Sequence, residues 1–223
     1  MNGRLFAGVA GFSYTAWRGG FYPPDARPDE FLGLYSSRLP SVELNTTFYR
    51  LPSDEVFRRW AADTPPEFRF TAKMNRRVVG GDLGFLAPFG ERLRILGEKL
   101  AAVRVQLPAS RPRDDGFLTL LLGSLDPGLR IAFEAEHETW SSPEVDRTLA
   151  DAGAVRVNAL AADSPFLYLR LREPPYTDAD LSELAAAVRP LLAAGVDVYC
   201  YFKHEDDPRG ALYAERLIDL AET

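Results

Sequence analysis

The sequence predicts an α/β fold of the TIM type, a compact (β/α)8 barrel, on three observations. Short β-rich runs alternate with helical stretches from one end of the chain to the other, eight such strands can be counted, and the glycine-rich turn of an open dinucleotide-binding sheet is missing. Parallel strands need a crossover connection, so strict alternation of strand and helix implies a parallel sheet. Eight repeats favour closure into a barrel. The rival is an open doubly wound sheet, which would show GxGxxG after its first strand; Val9–Ala10–Gly11–Phe12–Ser13 lacks that spacing.

The strands are expected at 5–10, 41–45, 68–73, 101–106, 129–134, 154–158, 166–171 and 196–202. Each is a short run rich in Val, Leu, Phe and Ala, as suits strands covered on both faces. Helices are expected at 29–38, 54–62, 90–100, 117–125, 143–152, 178–194 and 209–221. Ser53 before Asp54 and Glu55, Ser142 before Pro143 and Glu144, and Thr177 three residues before Asp180 are start signals. Gly153 and Gly195 follow helices, where a left-handed residue ends the last turn. The link from Asn158 to Pro165 is too short for a crossover helix and its turns, so the helix between strands six and seven is predicted to be absent. With no Pro/Gly/Ser linker, no charge block and no longer repeat, residues 1–223 read as one domain. Such barrels typically run to about 250 residues, and the missing helix accounts for part of the shortfall.

Composition narrows the function classes. With 46% hydrophobic and 26% charged residues, and 17 each of Gly and Pro, the chain is neither disordered nor fibrous. One cysteine, Cys200, forms no internal disulfide, and the start of the chain lacks a signal or membrane segment, so a cytoplasmic protein with no membrane partner is expected. Net charge of -6 argues against broad nucleic-acid binding but not against a local basic pocket. Cys200, between Tyr199 and Tyr201 in a strand, reads as a buried thiol. Gly11–Phe12–Ser13 is no nucleophile elbow.

A barrel of this kind builds its site at the C-terminal strand ends. Those positions hold Ser13, Glu43 with Asn45, Lys73, Gln106, Glu134, Asn158, Arg170 with Arg172, and His204. Loops are polar anyway, which explains much of this list. Alternation adds that Glu43 and Asn45 share a face, as do Arg170 and Arg172. Glu43 and Glu134 suit a general acid and base, or metal ligands; equally, each pairs with a barrel arginine. Both histidines, His137 and His204, fall just past strand ends. Lys73, Arg170 and Arg172 suit an anion clamp, with Asn75, Arg76, Arg77 and a flexible turn at 78–81 beside the first. Aromatic residues gather at the same end: Phe12, Tyr14, Trp17, Phe21, Tyr22, Phe48, Tyr49, Trp140 and Tyr176. Beside arginines they suit a planar or sugar-like ligand.

The stretch Val42–Glu43–Leu44–Asn45–Thr46–Thr47–Phe48–Tyr49–Arg50 resembles the YecE-like family, the domain of unknown function 72. Gly11–Phe12–Ser13–Tyr14, Trp17, Phe21–Tyr22–Pro23, Trp60, Phe68–Arg69–Phe70, Gln106–Leu107–Pro108, Tyr168 with Arg170, and Tyr201–Phe202 add to the likeness along nearly the whole chain. The resemblance implies a TIM-type barrel and supplies no reaction. The family usually shows Glu-x-Arg-His where this chain has Glu134–Ala135–Glu136–His137, and Phe-Asn-Asn where it has Phe202–Lys203–His204. Three functions compete. The first is an acid/base enzyme on an anionic small molecule, such as a phosphorylated sugar or nucleotide. In it Glu43, Glu134, His137 and His204 are catalytic, and Trp17, Asn45, Tyr49, Lys73, Gln106, Trp140, Arg170 and Arg172 bind the ligand. The second is a noncatalytic binder of single-stranded nucleic acid or of a protein partner. The third is a metal-dependent hydrolase or isomerase using a divalent ion at Glu43, Glu134 and His137. No organic cofactor is expected.

Overall fold

The computed structural model describes residues 2–126, 128–161, 163–203 and 207–222. Its strands are β1 (Leu5–Val9), β2 (Ser41–Leu44), β3 (Arg69–Lys73), β4 (Leu100–Leu107), β5 (Ile131–Ala135), β6 (Val155–Arg156), β7 (Leu167–Leu171) and β8 (Val198–Phe202). They form one parallel sheet in the order β6-β5-β4-β3-β2-β1-β8-β7, as a TIM-type α/β fold requires. Among the described residues the helices are α1 (Phe31–Ser36), α2 (Thr46–Tyr49), α3 (Asp54–Ala62), α4 (Arg76–Val79), α5 (Leu86–Leu93), α6 (Asp115–Gly123), α7 (Pro143–Asp151), α8 (Asp178–Ala193) and α9 (Arg209–Glu222). None is long and apolar enough to cross a membrane.

By its contacts the chain groups into two compact units, Met1–Glu43 with Ala62–Arg69 and Asn158–Thr223, and Leu44–Ala61 with Phe70–Val157. In the first, β8 pairs with β1 from Leu5↔Val198 to Val9↔Phe202 and with β7 from Leu167↔Val198 to Leu171↔Phe202. An aromatic cluster packs beside them: Tyr22 stacks on Phe31 at 4.6 Å, and Trp17 meets Phe21 edge-on at 5.7 Å. Tyr35 ties β1 to β2, because its hydroxyl accepts from the Val9 N–H (2.9 Å) and donates to the Ser41 carbonyl (2.8 Å). In the second unit, β4 pairs with β3 and β5, and Phe133 packs on Trp140 at 5.3 Å.

Most boundaries follow the expected signals. The Ser142 hydroxyl accepts from the Val145 N–H, and Thr177 with Asp180 forms a full capping box. Gly153 and Gly195 have φ of 66° and 90° after α7 and α8. Two expectations are corrected. The helix placed at 90–100 is α5 followed by a 3-10 segment, Arg94–Lys99, broken where Gly97 turns to φ 57°. The stretch expected as a turn at 78–81 starts inside helix α4, whose last two residues, Val78 and Val79, are buried.

The sixth strand also stops early. Val157 donates to the Phe133 carbonyl of β5, whereas Asn158 turns to φ 65° and donates to the Tyr168 carbonyl of β7. The Asn158 side chain then copies a strand: Oδ1 accepts from the Arg170 N–H (2.6 Å) and Nδ2 donates to the Arg170 carbonyl (3.2 Å). Asparagine suits the position because it tolerates the left-handed region and carries both amide groups. The described residues between Arg156 and Leu167 contain no helix, as the short link implied.

Two predictions follow from this packing. Asn158→Ala is expected to cost about 2–4 kcal/mol in urea unfolding, from the two lost hydrogen bonds and the left-handed backbone. Asn158→Gly should recover roughly 1 kcal/mol of that, since it relieves the backbone alone. Separately, burial pushes the Cys200 thiol up to about 12 from an ordinary 9.0, with the Arg170 charge opposing the rise. A raised pKa contributes stability that is whole below the unfolded value and is lost as pH climbs through the folded one. Stability should therefore fall between pH 9.0 and about 12. Cys200→Ala should remove one proton from that slope, about tenfold in the folding equilibrium per pH unit. Burial raises Tyr22 and Tyr35 as well, so a residual slope from the tyrosines should persist in the variant.

Candidate functional site

Parallel pairing places side chains of equal register on one face, so polar groups near the strand ends meet in rows. In the first unit the row is Glu43, Tyr168 and Arg170. Tyr168 donates to Glu43 Oε2 at 2.6 Å, and Arg170 Nε lies 3.4 Å from Glu43 Oε1. The Arg170 Nη1 also donates to the carbonyls of Tyr201 and Phe202 at the end of β8. Glu43 is 0% exposed and Arg170 7%. The Glu43 carboxylate thus pairs with a barrel arginine.

In the second unit the row runs across β3, β4 and β5. Lys73 is in register with Arg104, and Gln106 with Glu134. Arg104 Nη1 donates to Glu134 Oε2 at 2.7 Å and to Gln106 Oε1 at 3.1 Å, while Gln106 Nε2 donates to Glu136 Oε1 at 2.7 Å. The Arg104 side chain is 2% exposed, against 14% for Glu134. Lys73 and Gln106 are half-buried. Its ammonium stands 4.1 Å from the Phe48 ring centroid, in a cation–π contact. Chemically, this row can hold an anion near Lys73 and exchange a proton at Glu134.

The remaining candidates fall elsewhere. Asn45 has already left β2 in helical backbone before α2, and Arg172 lies one residue past β7, so strand alternation does not align them with Glu43 and Arg170. Trp17 and Trp140 are wholly buried, and Trp140 Nε1 donates to the Arg111 carbonyl. They are core residues that offer no wall to a ligand. Tyr49, by contrast, is 67% exposed. His137 is half-buried, and its Nδ1 accepts from the Thr139 N–H at 3.2 Å, capping a 3-10 turn. His204 lies outside the described residues. Arg77 is held by Asp82 at 2.7 Å, and Asn75 caps α4 while donating to the Thr47 carbonyl. Among the described residues no group of three His, Cys, Asp or Glu side chains is placed to hold a metal ion.

Two participants escaped the strand-end reading. Arg104 lies in mid-strand, yet it is two residues before Gln106 and shares its face; that period-two spacing was the available signal. Tyr168 bears the same relation to Arg170. Neither is a loop residue, so a search confined to strand ends passes over both.

A family model described as protein of unknown function DUF72 matches residues 6–223. The UPF0759 protein YunF of Bacillus subtilis is 31% identical over 80 residues, 35% of this chain and 28% of its own length. The UPF0759 protein YecE of Escherichia coli K12 is 30% identical over 122 residues, 52% of this chain and 45% of its own length. The matched stretches thus span less than half the length of these curated relatives. A DUF72 family protein from Thermotoga maritima superposes with a TM-score of 0.85 at 23% identity, covering 98% of this chain and 99% of that one. Another from Enterococcus faecalis gives 0.82 at 18%, covering 100% and 99%. At such identities the likeness speaks for the fold, and it is the TIM-type fold and the family that the sequence itself suggested. The chain belongs to the family of proteins of unknown function DUF72.

Proposed function

We propose that this protein is an acid/base enzyme acting on a small phosphorylated or otherwise anionic molecule at the C-terminal ends of β3, β4 and β5. The observation behind this reading is the Arg104–Glu134 pair, 2.7 Å long, with the arginine enclosed and the carboxylate still reaching the surface. Taking two charges out of water costs several kcal/mol per ion, and an apolar pair of like volume often packs as stably or better. Such a pair is therefore weak as a staple and well suited to fixing a carboxylate in one orientation. Lys73 is the cation beside it that meets the ligand as a point charge. Gln106, half-buried between them, is a polar contact for the ligand.

In this reading Glu134 gives or takes the proton, and Glu43 does not, because Glu43 has no exposed surface. Its carboxylate positions Tyr168 and Arg170. His137 contributes a cap to the loop after β5. The metal-dependent alternative loses ground, since Glu134 is already committed to Arg104 and His137 Nδ1 to Thr139.

Ribose 5-phosphate should raise the melting temperature, whereas ribose should not, because a ligand that binds only the folded state stabilises it. Lys73→Met should weaken binding of ribose 5-phosphate by roughly tenfold or more in calorimetry. Glu134→Gln should keep that binding and abolish turnover of any phosphorylated compound that the wild type converts. If Lys73→Met leaves the affinity unchanged, or if no phosphorylated compound stabilises the protein, the assignment is wrong.

A further inference from the structure

Next to the β3 end the second unit displays an aromatic ring that packing does not explain. Tyr49 is the most exposed of the large apolar side chains described, at 67%, and no other described aromatic side chain is exposed. The turn that bears it is fixed. Thr47 is wholly buried, and its hydroxyl lies 2.7 Å from the carbonyls of both Leu44 and Lys73, which share its one proton. Asn75 Nδ2 donates to the Thr47 carbonyl at 2.8 Å, which ties α2 to the start of α4. A ring held out on so well-fastened a turn has already lost its backbone freedom, so contact with a planar partner would cost little further ordering.

The surroundings are cationic. The Lys73 ammonium, the Phe48 ring and the Tyr49 ring stand in series, 4.1 Å and then 5.0 Å apart, the two rings edge to face. Arg50 follows Tyr49 directly, Arg76 follows Asn75, and both are exposed. A phosphate at Lys73 would thus have an aromatic platform and further positive charge to one side. A nucleotide has the matching plan, with a flat base set one sugar away from its phosphate. Stacking of a base on an aromatic ring is a recurrent source of affinity, and every base offers a face for it. The net charge of -6 disfavours a long polyanion, which would extend over acidic surface, and leaves a single nucleotide unaffected.

We infer that the anionic ligand of this site is a mononucleotide whose base stacks on Tyr49 and whose phosphate meets Lys73. This rests on the anion site proposed above and adds the class of molecule. Calorimetric titration with adenosine 5′-monophosphate, ribose 5-phosphate and a single-stranded oligodeoxyadenylate separates the outcomes. Adenosine 5′-monophosphate should bind about fivefold or more tightly than ribose 5-phosphate. Tyr49→Ala should erase that advantage while leaving ribose 5-phosphate binding as it was, and Tyr49→Phe should preserve it. Because the side chain is exposed, an unchanged melting temperature of Tyr49→Ala will verify that the fold is intact. Equal binding of the two phosphates overturns this inference and leaves the anion site standing. Failure of both to bind overturns both. Tighter binding of the oligonucleotide than of the mononucleotide overturns the choice of ligand class.

Discussion

The hydrogen bond from Tyr168 to Glu43, 2.6 Å long and sealed from water, is the contact on which the first unit's arrangement turns. A carboxylate with no exposure must have its charge met inside the protein. Arg170 meets it from the same face of β7, and the arginine is held in turn by the carbonyls at the end of β8. Satisfying one buried charge thereby links the ends of β7 and β8, which backbone pairing already holds in register. The neighbouring hydroxyls follow the same logic. Ser41 Oγ donates its one proton to the Arg69 carbonyl, so in its contact with Tyr201 the tyrosine must be the donor. Even Asn158 belongs to this scheme, because β7 would otherwise present the Arg170 amide and carbonyl to nothing.

The second unit solves the same problem with a different outcome. Arg104 is as enclosed as Glu43, but its partners Glu134 and Gln106 reach the surface. One row is a closed knot, the other an open one. Chemistry on a diffusing ligand needs the open kind, since a group with no exposed surface meets a substrate only after the fold rearranges.

Much of this was legible in the sequence, for a physical reason: β-rich runs, caps and left-handed glycines are local signals. The parallel sheet follows from alternation, and the barrel from the count of eight strands and the missing glycine-rich turn. What was not legible depends on packing across the chain. Trp17 sits among other aromatics in the sequence and Trp140 among polar residues past a strand end, and nothing local distinguishes a core ring from a pocket ring; only burial does. Asn45 and Arg172 were aligned with their neighbours by extending the strands one residue too far, and strand ends are where sequence signals are weakest. Arg104 reads as an anomaly in a strand of Ala, Val and Leu, and such an anomaly points to a polar row that a search confined to strand ends passes over.

Glu136 shows how the row distributes its charge. The amide of Gln106 has two ends, and the network assigns them: oxygen toward Arg104, nitrogen toward Glu136. An arginine at 136, the usual residue of the family that this chain resembles, could not accept from that nitrogen and would favour the opposite amide orientation. The acid at 136 therefore turns Gln106 so that its oxygen joins Glu134 in holding Arg104. Within the row the arginine donates to one carboxylate and one amide oxygen. In the reading proposed above the anion is met by Lys73, a flexible point charge rather than a bidentate guanidinium fork. A ligand held that way gains less from its phosphate alone. It has correspondingly more to gain from a second, uncharged contact such as the exposed ring of Tyr49.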